Sequence, residues 1–272
     1  MHDAGHRTYL KMSFLVITTL LSRYAMGQEF WLRPDKVFYK TGDTLNVTFL
    51  TGENFDGKHW ELAKNNIEKL EIYTGGVASD VTSQVREGKK DNVSVPLQKE
   101  GTALISLQTV NTFREVEAEK FNASLNEDGL DDVISQRMKS GKTNSPTKEN
   151  YSCFTKLFVQ VGDVKDDAFK KVTGFPIEIV PDKNPSSLKK GDVLHFKILY
   201  QGKPLFGAKV RIWNYFDHLT TTQNIFTQQD GTIEMTISGV GSWLINVVKM
   251  VPSKDENADW QSYRGTLIFG IK

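Results

Sequence analysis

Residues 36–52 read KVFYKTGDTLNVTFLTG. Val37 and Tyr39 alternate with polar neighbours, Gly42-Asp43 interrupts, and Leu45, Val47 and Phe49 resume the alternation with Asn46 and Thr48 between them. A period of two marks a strand with one face buried, because successive side chains point to opposite sides. The stretch predicts two strands of a half-buried sheet around a Gly-Asp turn.

The pattern spreads outward from there. IEKLEIYTG (67–75), NVSVPLQKEG (92–101) and TALISLQTV (102–110) repeat it. One segment departs from it: in EVEAEKFNASLNEDGLDDVISQRM (115–138), Phe121 and Leu125 stand four apart, and Val133, Ile134 and Met138 keep a helical period. Gly129 between the two groups is placed to end the first helix by taking φ > 0. The acidic run around it reads as a helix cap and a solvated face, since it lacks the alternating oxygen spacing of a calcium loop. KSGKTNSPTKEN (139–150) has no apolar period and reads as an exposed loop.

Strands return with YSCFTKLFVQV (151–161). Pro181 and Pro185 in EIVPDKNPSSLKKGD (178–192) force extended geometry and mark a domain boundary near residue 180. Beyond it, VLHFKILYQGKPLFGAKVRIWNYF (193–216) gives two strands around Gly202-Lys203-Pro204. NIFTQQDGTIEMTIS (224–238) gives two more around Asp230-Gly231, a hairpin signal. GSWLINVVKMV (241–251) and YRGTLIFGIK (263–272) complete the set. The expected fold is mainly β, with two antiparallel β-sandwich domains over residues 28–180 and 181–272. The first carries a helical insertion near 115–140.

The N-terminus reads as a leader. A basic opening with His6, Arg7 and Lys11 precedes the apolar run Met12–Leu21, which is shorter than the roughly 20 residues a membrane-spanning helix needs. Ala25-Met26-Gly27 supplies small residues for a cleavage site after Gly27. Residues 1–27 are therefore expected to be a signal peptide. The mature chain then starts at Gln28, has no transmembrane segment and is periplasmic or secreted. Without the leader the chain carries 31 basic and 32 acidic side chains. That balance predicts no long-range attraction to nucleic acid. The single cysteine, Cys153, allows no internal disulfide and reads as a packed apolar residue.

With these stretches in view, the chain resembles a bacterial family of exported proteins of unassigned function. Its members are often labelled the periplasmic component of cobalt or nickel uptake systems. The resemblance rests on EFWLRPDKVFYKTGDTLNVTFLTGENF (29–55), on KFNASLNEDGL (120–130), on Glu149, Tyr151 and Lys156, and on GFPIEIVPDKNPSSLKKGD (174–192). GKPLFGAKV (202–210), TQQDG (227–231) and GSWLI (241–245) are similar to transthyretin-like modules. In that run Pro204 fixes a turn, Gly207 permits an unusual backbone angle, and Ala208 and Val210 enter the core. Family members commonly start the mature chain with histidine, whose amine and imidazole together grip nickel, cobalt or copper. Here Gln28 takes that position, an amide in place of an imidazole.

The residues themselves offer few reactive groupings. His59, His195 and His218 remain after the leader, and none pairs with another at helical or strand spacing. His59, beside Trp60 and near Glu53 and Asp56, is the better metal candidate, and Asp217-His218 the weaker one. The expected metal residues are His59, Gln28 and Glu29, with nickel, cobalt or copper as the ion. No Gly-x-Ser-x-Gly, His-Glu-x-x-His or phosphate-loop pattern occurs. Trp213, Tyr215 and Phe216, with Trp260 and Tyr263, form aromatic groups that either line the core or stack on sugars and protein partners. The leading expectation is a non-enzymatic exported binding protein, implied by resemblance to serve metal-ion uptake. The second is a cell-envelope structural or interaction module holding an envelope protein or glycan.

Overall fold

The computed structural model describes residues 29–60 and 66–272. The expected leader, its cleavage site and Gln28 lie outside the described residues.

The chain opens with β1 (Glu29–Pro34), β2 (Phe38–Tyr39), β3 (Thr44–Glu53) and β4 (Asp56–His59). Next come β5 (Ile67–Thr74), β6 (Val77–Asp80), β7 (Val93–Pro96), β8 (Gly101–Thr109) and β9 (Thr112–Val116). The helices α1 (Ala118–Asp128) and α2 (Asp131–Lys139) follow, then β10 (Thr147–Val161) and β11 (Ile177–Pro181). The last run is β12 (Val193–Tyr200), β13 (Lys203–Pro204), β14 (Lys209–Phe216), β15 (Leu219–Phe226), β16 (Thr232–Thr236), β17 (Gly241–Pro252) and β18 (Trp260–Ile271).

These strands build three layers. The middle is a ten-stranded sheet, β15-β14-β17-β18-β10-β8-β5-β6, with β2 and β9 also on β10. One outer sheet holds β3 flanked by β1, β4 and β7; the other holds β12 with β11, β13 and β16. The alternation of side chains decides which layer each residue meets. On β10, Cys153, Leu157, Val159 and Val161 join the core under the first outer sheet, with Trp31, Leu45, Val47 and Phe49. Phe154 and Phe158 point the other way and join Leu194, Phe196, Ile198 and Met235 of the second outer sheet. β17 divides likewise: Leu244 faces the first core, while Trp243, Ile245 and Val247 face the second. A sheet covered on both faces reads as a near-continuous apolar run, as LFVQV and WLINVV do. Each fully buried Phe or Leu in these cores contributes about 1.5–3 kcal/mol.

The fold is thus mainly β, with two sandwiches and a helical insertion. The sandwiches share their middle sheet across the boundary expected near residue 180. That residue lies in β11, and β10 pairs in parallel with β18, Glu149 opposite Trp260 and Leu157 opposite Ile268. Gly129, at φ 67°, ends α1 as its position suggested. Phe121, Leu125, Leu130 and Val133 then pack on Val248, Met250 and Trp260. Among the described residues no helix is long and apolar enough to cross a membrane.

Three local expectations are corrected. The strands on either side of Gly42-Asp43 do not pair with each other: β2 joins β10, and β3 joins the outer sheet. The Gly42 amide donates to the Leu97 carbonyl, and the turn carries the chain between layers. The strands around Asp230-Gly231 are not a hairpin either, since β15 pairs with β14 and β16 with β12. A Cβ on Gly231 would stand 2.8 Å from the Ile198 carbonyl oxygen, so this turn is pressed against β12 as the chain changes sheets. Finally, the loop read over 139–150 ends by Thr147, where β10 begins. Arg137 ties the loop down by donating to the carbonyls of Lys142 (2.9 Å) and Ser145 (3.0 Å).

Candidate functional site

A cleft of about 470 Å³ opens between two hairpins. One wall is β1 with the β3–β4 hairpin, the other the β14–β15 hairpin. Trp31, Leu32, Leu50 and Ile268 make an apolar floor; Phe55 and Tyr215 stand over it; Arg33, Asp56, His218, Thr220 and Ser242 supply polar groups. Phe55 meets Trp31 at 5.7 Å between ring centroids and Tyr215 at 6.0 Å, edge-on. The Trp213 indole N–H donates to the Asn54 side-chain oxygen (3.4 Å), tying the β3–β4 turn to β14. Arg33 and Asp56 are exposed and have no ion-pair partner among the described residues.

Each hairpin turns through a tolerant Asx residue followed by a bulky ring. A type I′ two-residue hairpin turn needs φ > 0 at both positions, which Asn-Gly and Asp-Gly supply at least cost. Here the pairs are Asn54-Phe55 (φ 54° and 64°) and Asp217-His218 (φ 48° and 63°). A bulky side chain in this region costs of order 1 kcal/mol or more. The strained residue of each pair, Phe55 and His218, is the one that lines the cleft. His218 Nδ1 stands 3.5 Å from the Tyr215 hydroxyl. Gly57 has a matching role: a Cβ there would meet the Trp31 ring at 2.4 Å, so only glycine lets β4 cross the indole.

Of the expected metal residues, Glu29 and His59 are described, and they are not brought together. Glu29 opposes Gly52 on β3, and His59 opposes Leu50 across the same strand. β1 and β4 therefore flank β3, about 10 Å apart at two strand spacings. His59 is exposed at the end of β4, and Gln28 lies outside the described residues. No group of three or more His, Cys, Asp or Glu side chains among the described residues is placed to hold a metal ion. His195 lies between Asp182 (2.9 Å) and Glu234 (3.2 Å) on the surface of the second outer sheet.

Glu29 belongs instead to a buried ionic network. Its carboxylate lies 2.8 Å from Arg211 Nη2, which also stands 2.9 Å from Asp128, while Nη1 meets Glu127 at 2.6 Å. Arg264 continues the network to Glu149 (3.2 Å), which Arg114 also contacts (2.6 Å). The Glu29–Arg211 contact is close but misaligned: among the described residues neither Glu29 oxygen has a hydrogen-bond partner, nor does Asp128 Oδ1. Burial pushes the Glu29 carboxyl up to about 7, against the pull of Arg211. Asp128 is raised for the same reason, so the acidic run read as a solvated cap hides one of its carboxylates. Glu149 ends below the usual range, since burial raises it but Arg264, Arg114 and Ser262 together outweigh burial. Burial lifts the Cys153 thiol to about 11, consistent with a packed residue.

Of the aromatic groups, Trp213 and Trp260 are core residues and Tyr263 is half-buried against Phe154. Tyr215 and Phe216 reach the surface. Sequence reasoning passed over Arg33, Phe55 and Thr220. The available signal was the pair of Asx-aromatic dipeptides, Asn54-Phe55 and Asp217-His218, each leading with a residue that tolerates φ > 0.

A family model described as "Domain of unknown function (DUF4198)" matches residues 25–250. No curated protein matches the chain. Among solved structures, the chain is similar to Salmonella alpha-2-macroglobulin reacted with methylamine at 10% identity. That match covers 89% of this chain and 15% of that one, with a TM-score of 0.24. Dimeric latent PorU from Porphyromonas gingivalis matches at 11% identity, over 94% and 21% of the two chains, with a TM-score of 0.19. The three N-terminal domains of the bacteriophage RB49 outer capsid protein Hoc match at 7% identity, over 90% and 70%, with a TM-score of 0.21. The chain thus spans less than a quarter of the first two proteins.

Proposed function

The chain belongs to the DUF4198 family, and from that premise we propose that it is an exported binding protein. The cleft between the β3–β4 and β14–β15 hairpins is its binding site, and a sugar or glycan unit is its ligand. The supporting observation is the composition of that cleft: the rings of Phe55 and Tyr215, over a buried Trp31, beside Arg33, Asp56, His218 and Thr220. A sugar ring presents an apolar face to an aromatic ring and hydroxyls at its rim to donors and acceptors of both kinds. A volume of about 470 Å³ lies in the range of small-ligand pockets, about 300–1,000 Å³. The two strained turns fit a site that gives up backbone comfort for side-chain placement.

The test is a titration of the purified protein with mono- and oligosaccharides, neutral and acidic, followed by tryptophan emission, because Trp31 floors the cleft. Saturable change is expected, with Tyr215→Ala weakening the bound sugar about tenfold, the loss of one aromatic contact of about 1.4 kcal/mol. An emission unmoved by every sugar up to about 10 mM, a weaker limit than useful recognition requires, overturns the reading.

A further inference from the structure

The ten-stranded sheet has two free ends, and they are treated differently. At one end β6 is four residues long, follows Gly75-Gly76 and closes on Asp80. Short length and charge are the usual protections of a sheet edge. At the other end β15 runs Leu219–Phe226, LTTTQNIF, with no charge and no proline. Among the described residues it pairs with β14 alone. Its hairpin register sets Phe216 opposite Leu219, so the N–H and C=O groups of Thr220, Thr222, Asn224 and Phe226 point away from the sheet. Large apolar side chains stand exposed around this edge: Phe216 at 55%, Leu219 at 72% and Phe226 at 55%.

We propose that β15 pairs with β15 of a second copy, antiparallel about a two-fold axis at Gln223, making one sheet continuous through a dimer. Charge selects this occupant. In that register Thr222 meets Asn224, Thr220 meets Phe226, Thr221 meets Ile225 and Gln223 meets itself. Every opposed pair is uncharged, whereas a partner strand guarded by lysine or aspartate would place an unmatched charge on this edge. Each outward N–H and C=O finds a partner. The same register completes the ligand site. Thr220 lines the cleft, and the Cα of its opposite number in a hydrogen-bonded pair sits about 5.5 Å away. Phe226 of the partner subunit therefore closes the open side of the cleft beside Tyr215. The pairing stands on the edge itself and does not depend on what the cleft binds.

One strand edge buries less than the about 1,200 Å² of a stable interface, so the dimer is expected to form reversibly in the micromolar range. Sedimentation equilibrium on the purified protein reads this directly. Gln223→Lys and Gln223→Glu each place like charges face to face at the axis and are expected to be monomers with unchanged circular dichroism. An equimolar mixture of the two is expected to restore the dimer. A wild-type protein that stays monomeric to about 1 mM, far above micromolar association, overturns the proposal. So does a dimer that persists in both variants, or a mixture that fails to associate.

Discussion

Arg211 Nη2 stands between two buried carboxylates, 2.8 Å from Glu29 on β1 and 2.9 Å from Asp128 at the end of α1. One guanidinium thus holds the start of the first outer sheet and the helical insertion against β14.

Removing it leaves Glu29 buried without a counter-charge and Asp128 with only the more distant Arg264, at 3.9 Å. Arg211→Ala is expected to destabilise the fold by about 3–5 kcal/mol, the usual result of breaking a buried pair from one side. Adding Glu29→Gln recovers part of the loss. Urea unfolding of the single and double variants measures it, and a loss under about 1 kcal/mol, the size of an exposed pair, would show that the network is not a structural tie.

The same site sets a pH dependence. The ordinary value for Glu29 is 4.5 and the folded value is about 7. Between these, the folded chain holds a proton that the unfolded chain has released, so this group's contribution is fully present below about 4.5. It is lost as pH rises through about 7. Wild-type stability relative to Glu29→Gln is therefore expected to fall from pH 4.5 to pH 8 in parallel unfolding curves. A difference that stays flat with pH contradicts the assignment. Glu149, held low by Arg264 and Arg114, acts with the opposite sign and loses its contribution on acidification.

At the β14–β15 turn, function and stability pull apart. His218→Gly converts Asp217-His218 into the turn pair that φ > 0 favours. Relief of the strained backbone, of order 1–3 kcal/mol, outweighs the extra unfolded-chain entropy of glycine, about 0.4–1 kcal/mol, so the variant is expected to be more stable by roughly 0.5–1 kcal/mol and to bind cleft ligands more weakly, as the imidazole beside Tyr215 is gone. Thermal melts and the sugar titration together check it; a destabilised variant would mean that His218 is held by more than its turn.

Lys156 and Glu178 form a second buried ion pair, both side chains 2% exposed, joining β10 to β11. Glu178 also accepts the amides of Thr173 and Gly174, so it fixes the segment before β11. Burial lowers the Lys156 ammonium, with Glu178 opposing. Lys156→Met is expected to cost about 3–5 kcal/mol by stranding the carboxylate, while Lys156→Met with Glu178→Leu recovers most of it. Failure of the double variant to recover would assign the cost to packing rather than charge.

Much of this architecture could be read from alternation. The strand stretches, the Gly129 break between two helices and the core placement of Val210 all follow from local spacing. Partners were harder. Gly42-Asp43 and Asp230-Gly231 look like hairpin turns, yet each sends the chain to another layer, because the pairing was settled by strands far away in sequence. Period two could not reveal that β10 and β17 are covered on both faces by different sheets. The ionic network was equally hidden: Glu29, Asp128, Glu149, Arg211 and Arg264 are scattered along the chain, and read singly Glu29 suggests a metal ligand and Asp128 a solvated helix cap. Arg33, Phe55 and Thr220 share a cleft only because β1, the β3–β4 turn and β15 converge on it.

The seam between β10 and β18 has a consequence for biogenesis. β18 sits between β17 and β10 in the middle of the sheet, yet it leaves the ribosome after every strand it joins. Until it arrives, β10 and β17 each wait with an open side and neither core can shut. Such distant closure is slow, so the nascent polypeptide stays loose while it is being made, a state in which it can be threaded or can stray, and a chaperone would find it worth guarding.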